Sequence, residues 1–274
     1  MIAKVHCKIE DTSAKLWPLF PIIATRYTQI MTSIHFTDHL IAAILMIVAP
    51  LYALLGKRPK SMEGVAFNRS AKFSLYLSNS LVQWVIVLIV LLLWWWQGHP
   101  LRVMGLQMPN WDQALWVAVV FLAFWGAYAW NTWQQVSTPE ALAKTQQHWL
   151  RTTPFMPVNR QEFWAFVGVA ITAGVCEEII FRGFLMTYLQ ALSYGSPKIQ
   201  SVVVSAAVFA VLHVYQGRVA ALKIFGFSLL FGALYALTNS IYPSIIVHAL
   251  VDIISGWIGW KVILRERDLG EGLT

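Results

Sequence analysis

Seven stretches of the chain hold the roughly twenty mostly apolar residues that a helix needs to cross a hydrocarbon core: 36–55, 75–96, 113–133, 163–192, 199–216, 220–237 and 241–263. Polar segments separate them. The pattern predicts an all-α, polytopic transmembrane helix bundle of about seven to eight spans, the eighth being a short or interfacial helix around 16–30 in the N-terminal tail, 1–35. Residues 36–133 then carry the first three spans, 134–162 a linker, 163–263 a second membrane block and 264–274 a tail. The fourth stretch is long for a simple crossing and contains charges, which predicts a tilt, a break or two half-helices. Within the linker, Thr138-Pro139-Glu140 supplies an N-cap, a proline at the first helical position and an acid in the first turn. Those residues predict an amphipathic helix over 139–150, read as a tether lying on the membrane surface through Trp149 and Leu150. Trp94-Trp95-Trp96 closes the second span, where indole rings anchor at the interface.

Composition agrees with this pattern: 58% of residues are hydrophobic, 12% are charged and the mean hydropathy is +0.59, which excludes a soluble globular domain. The net charge of +7 comes without the basic block of a nucleic-acid surface, so no nucleic-acid partner is expected. The basic residues instead report orientation. Lys57, Arg58, Lys60, Arg69, Lys72, Lys144, Arg151, Arg160, Arg218, Lys261, Arg265 and Arg267 fall on one set of alternate loops, and only Arg102 and Lys198 on the other. That asymmetry places the C-terminus in the cytoplasm. Seven spans put the N-terminus outside, whereas a helix around 16–30 puts it inside, as Lys4, Lys8, Lys15 and Arg26 favour. No charged n-region with an apolar run and small-residue cleavage site is seen, which predicts no removable signal peptide. Cys7 and Cys176 lack the spacing of a disulfide framework or zinc knuckle.

An Asp, Lys or Arg at the centre of a membrane helix costs roughly 2.5–3.5 kcal/mol on insertion scales, so ionisable residues there are functional candidates. Lys223 lies near the end of its span and can snorkel. Glu177, Glu178 and Arg182 remain in the fourth span, His213 in the fifth, and His248 and Asp252 in the seventh. Glu178 and Arg182 are four residues apart with the acid first, the favourable order for an ion pair on one helix. Glu177 points about 100° away and needs a partner from another helix. Phe209 stands one turn before His213, and His248 one turn before Asp252. Brought together, an unpaired glutamate, two histidines and an aspartate can activate water or hold a metal. Either histidine taken singly is better explained as polar glue between helices, whereas four such residues together in so apolar a chain reverse that balance.

Glu-Glu-x-x-x-Arg, Phe-x-x-x-His and His-x-x-x-Asp, one motif per helix and in that order, resemble the CAAX protease and bacteriocin-processing (CPBP, Abi) family of intramembrane endopeptidases. The resemblance covers roughly 160–260 and makes 163–263 a catalytic membrane core, with the site between the fourth, fifth and seventh spans. It implies that Glu177, with His213, activates a water for attack on a peptide carbonyl. It implies that His248 and residue 252 stabilise the oxyanion, with Glu178, Arg182 and Phe209 as structural support. The family's CAAX-processing branch commonly has Asn at the position of Asp252. An ionised Asp only accepts hydrogen bonds, so Asp252 is expected to orient and charge His248, which then donates.

The resemblance further implies a membrane-tethered peptide or protein substrate and a place in the bacterial inner membrane, and it needs no cofactor. Zinc stays open, because a Glu/His/His/Asp set can ligate it, although no HExxH pair fixes two ligands on one helix. A thiol nucleophile at Cys176, a proton or cation transporter using the same four residues, and a non-catalytic immunity scaffold are the other readings. No second copy of the Glu-Glu-x-x-x-Arg pattern supports the inverted repeats common in transporters. Recognition of substrate is expected in the first half of the chain and in 134–162.

Overall fold

A computed structural model describes residues 34–56, 69–193 and 198–264 of the chain. These residues fold as eight helices, with no strand among them. Six are long and apolar enough to cross a membrane: α1 (Phe36–Leu55), α2 (Arg69–Trp96), α3 (Ala114–Val136), α5 (Arg160–Leu192), α7 (Arg218–Thr238) and α8 (Tyr242–Ile263). The linker helix α4 (Pro139–Thr152) follows α3, and the short apolar α6 (Lys198–Leu212) follows α5. The outer faces of α1, α2 and α3 expose Leu, Ile, Val and Trp side chains along their length, as a lipid-facing surface does.

Three boundaries differ from expectation. The fifth stretch, read as 199–216, is helical only to Leu212. There the His213 ring bonds the Phe209 carbonyl at 2.7 Å, the acceptor that the His213 amide would take if the helix continued. That amide turns to Ala210, a short 3-10 turn follows at Val214–Gln216, and Gly217, at φ 105°, starts α7 from a conformation that favours glycine. The interruption expected in the fourth span is a π-helical turn, Ile179–Leu185, inside one continuous helix. Finally, α2 starts at Arg69, so Lys72 is not a free loop charge. It is buried and meets Glu162 at 2.8 Å and the Met156 carbonyl at 3.0 Å. This second buried ion pair joins the starts of α2 and α5.

The tryptophan cluster also divides. Trp95 and Trp96 are exposed as interface anchors, while Trp94 is buried against Phe184 and His99. The N-terminal tail with its possible helix around 16–30, the cations Lys57, Arg58, Lys60, Arg265 and Arg267, and Cys7 lie outside the described residues.

Helix α5 is the centre of the bundle, packed between α8 and α2, while α7 packs against α6 and α3. The approach of α5 to α8 depends on Gly174, where a Cβ would stand 2.9 Å from both the backbone nitrogen and the Cβ of Ala249. At the same contact, Glu177 and Glu178 follow Gly174 by one turn on α5, and His248 immediately precedes Ala249 on α8. Helix α4 starts as expected, with the Thr138 hydroxyl accepting from the Ala141 amide at 3.1 Å. It folds back on the bundle: Thr145 donates to the Gln135 carbonyl at 3.0 Å, His148 lies beside Gly217 and Trp149 beside Gly259.

Candidate active site

At the base of the site, Glu178 has no solvent exposure, and its Oε1 accepts from Arg182 Nη1 at 2.8 Å. The π turn after Glu178 leaves this i,i+4 pair intact and aims the guanidinium at α7, where Nη2 donates to the Ser228 hydroxyl at 2.6 Å and its carbonyl at 3.1 Å. The guanidinium also lies over the rings of Phe209 and Phe231, 5.1 and 5.3 Å from their centroids. Two buried charges are costly to desolvate, and these added partners are what make such a pair tolerable in an apolar core. The pair read from the sequence is therefore a junction of α5, α6 and α7.

The same Glu178 oxygen also meets His248 Nδ1 at 2.9 Å. A carboxylate only accepts, so Nδ1 carries a proton and the ring is fixed with Nε2 facing away. Phe231 stacks on the ring at 5.0 Å and Phe209 meets its edge at 6.0 Å. This corrects the expectation for Asp252. The carboxylate that orients His248 is Glu178, whereas Asp252 Oδ2 lies 3.7 Å from Nε2, outside hydrogen-bond range and with a third of its side chain exposed.

Glu177 faces the same nitrogen from α5, with Oε2 at 3.9 Å from His248 Nε2. Its Oε1 accepts from Gln83 Nε2 of α2 at 3.3 Å. His213 reaches the site from the end of α6. Because Nδ1 donates to the Phe209 carbonyl, Nε2 is the atom left with a lone pair in the neutral ring. A cavity of about 970 Å³ is lined by Glu177, His213, His248 and Asp252 together. All four candidate residues thus share one space, and Phe209 lines it too.

With this geometry in place, a family model described as Type II CAAX prenyl endopeptidase Rce1-like matches residues 159–254. Over these residues the chain is similar to that family. The match runs from the start of α5 into α8, and it holds all three motifs on which the resemblance to the CPBP family rests. It supports a membrane-integral protease of the CAAX type. No curated protein and no solved structure matches the chain.

The matched segment does not build the site alone. Gln83, which touches Glu177, lies on α2 outside the match, and so does α4 at the cavity's edge. Gln83 carries no charge to mark it within its span, yet an amide in an apolar helix meets the same test as an ionisable group. Ser228 carried no signal, since a serine is unremarkable in a membrane helix. Cys176 is fully buried in the apolar core and is not among the cavity's lining residues, a poor setting for a nucleophile. Among the described residues, no three His, Cys, Asp or Glu side chains are grouped as ligands of one metal ion.

Proposed function

We propose that the protein is an intramembrane endopeptidase in which Glu177 activates a water to hydrolyse a peptide bond of a membrane-tethered peptide or protein. The observation that carries this reading is the meeting of Glu177, His213, His248 and Asp252 at one cavity, with His248 Nε2 facing both carboxylates. Glu177 takes a proton from the water as its oxygen attacks the carbonyl carbon, and His213 Nε2 accepts the water's other hydrogen and aligns it. His248, protonated on both ring nitrogens, donates from Nε2 to the developing oxyanion, with its Nδ1–H held by Glu178 and with Asp252 as counter-charge. Glu177 then passes its proton to the leaving nitrogen as the C–N bond breaks. General-base catalysis of this kind contributes about 10²–10⁴-fold, and one pre-aimed oxyanion donor about 10²–10³-fold.

The asymmetry of the loop charges supports a cytoplasmic side for α4, the cavity edge beneath it and the C-terminus, and the resemblance to the CPBP family supports a bacterial inner membrane. The test compares wild type with Glu177→Gln, which keeps the shape and removes the base. Purified protein is given peptides ending in Cys-aliphatic-aliphatic-X, with and without a prenyl group, and membranes carrying either protein are compared by peptide mass spectrometry. The expected result is loss of cleavage by at least about 10²-fold with unchanged thermal unfolding. Normal processing by Glu177→Gln overturns the mechanism. Loss of wild-type activity on chelation, restored by zinc, would move the reaction to a metal-bound water.

A further inference from the structure

The cavity has a wall that the reaction above does not use. On α2, Asn79 and Gln83 are four residues apart and both line it, and on α3 Asn131 faces the same space. These amides sit in helices that are otherwise strongly apolar, with mean hydropathies of 2.1 and 1.5 over the most apolar 18 residues of α2 and α3. Polar side chains in membrane helices usually bond each other across an interface. These do not. Among the described residues, neither Asn79 nor Asn131 has a side-chain hydrogen-bond partner. Gln83 donates to Glu177 from Nε2, while its buried Oε1 has no donor at all. Gln135, one turn after Asn131, shows the contrast, since its amide bonds the Asn131 carbonyl at 3.2 Å.

Unpaired amides are both donors and acceptors, which is the complement of a peptide backbone. Residues four apart on a helix are about 6 Å apart along its axis. An extended chain presents its backbone groups to the same side about every 6.6 Å, two residues at a time. A row of amides ending at Gln83, against Glu177, therefore matches the repeat of an extended peptide lying toward the site.

We propose that Asn79, Gln83 and Asn131 form a docking wall for the backbone of the substrate, so that the protein takes an extended segment and reads its main chain more than its side chains. Helical segments, whose backbone groups are bonded internally, must unwind before they fit. Gln83 has a second part as the positioning residue of Glu177. The inference rests on the peptidase reading. It assigns substrate recognition to α2 and α3, outside the matched segment.

The test uses purified full-length protein in lipid nanodiscs and whichever Cys-aliphatic-aliphatic-X peptide the wild type cleaves. Asn79→Ala and Asn131→Ala are each expected to raise KM roughly fivefold, the size of one neutral hydrogen bond, with much smaller effects on kcat. Independently of any variant, N-methylating the peptide backbone at successive positions is expected to weaken wild-type cleavage at alternate residues. At the residue that Asn79 serves, methylation adds no further loss in Asn79→Ala. Wild-type KM in both alanine variants, or an N-methyl scan without alternation, overturns the proposal and leaves the peptidase reading standing if Glu177→Gln is inactive. Full activity in Glu177→Gln overturns the peptidase reading whatever the amides do.

Discussion

Replacing Arg182 by methionine tests the junction beneath the site most directly. The side chain is fully buried, and its guanidinium serves Glu178, the Ser228 hydroxyl and carbonyl, and the faces of Phe209 and Phe231. Methionine fills much of the same volume without charge, so the Glu178 carboxylate keeps only His248 as a donor, at 2.9 Å. Removing one partner from a buried ion pair costs about 3–5 kcal/mol. At about 2–4 °C per kcal/mol, typical of domains somewhat smaller than this chain, the expected fall in Tm is on the order of 6–20 °C. Tryptophan fluorescence in detergent at a fixed scan rate measures it. The double variant Glu178→Gln/Arg182→Met is expected to be more stable than Arg182→Met alone, because no charge is left unpaired and the new amide oxygen still accepts from His248. An Arg182→Met protein within about 1 kcal/mol of wild type, or a double variant no better than the single, would refute the reasoning.

Two further outcomes follow from the packing and the site. Gly174→Val drives side-chain atoms into the Ala249 backbone, so α5 and α8 must separate, at about 1–3 kcal/mol. The separation also parts Glu177 and Glu178 from His248, so cleavage is expected to fall further than a thermal-shift assay alone would suggest. Asp252→Asn keeps the shape of residue 252 and adds a donor near the oxyanion, so it is expected to retain cleavage, whereas Asp252→Ala loses activity. Peptide kinetics on the pair check this, and an inactive asparagine variant would show that the negative charge itself is required.

Much of the architecture was legible because membrane helices obey a local rule. With no water to satisfy the backbone, an apolar run must be helical, so run length alone locates a span. Hence Phe36–Leu55 and Tyr242–Ile263 fall where hydropathy put them. The Thr138-Pro139 start of α4 was legible for the same reason, since a cap is a contact within four residues. The early end of α6 was not, because it follows from the ring of His213 competing for the Phe209 carbonyl. Lys72 looks like a loop charge in the sequence because its partner, Glu162, is distant along the chain.

The same division runs through the site. The chemical groups of the membrane core can be named from the residues alone, because ionisable residues are scarce there and each must have a reason. So can the Glu178–Arg182 pair, which one helical turn brings into contact. Tertiary structure alone decided which carboxylate steers which histidine: His248 is one turn from Asp252 in sequence, yet it bonds Glu178 across the α5–α8 contact that Gly174 permits. It alone decided that Gln83, from the other half of the chain, holds Glu177. Hydrogen bonds need a few tenths of an ångström of precision. Spacing along a helix supplies that within one turn, and packing has to supply it between helices.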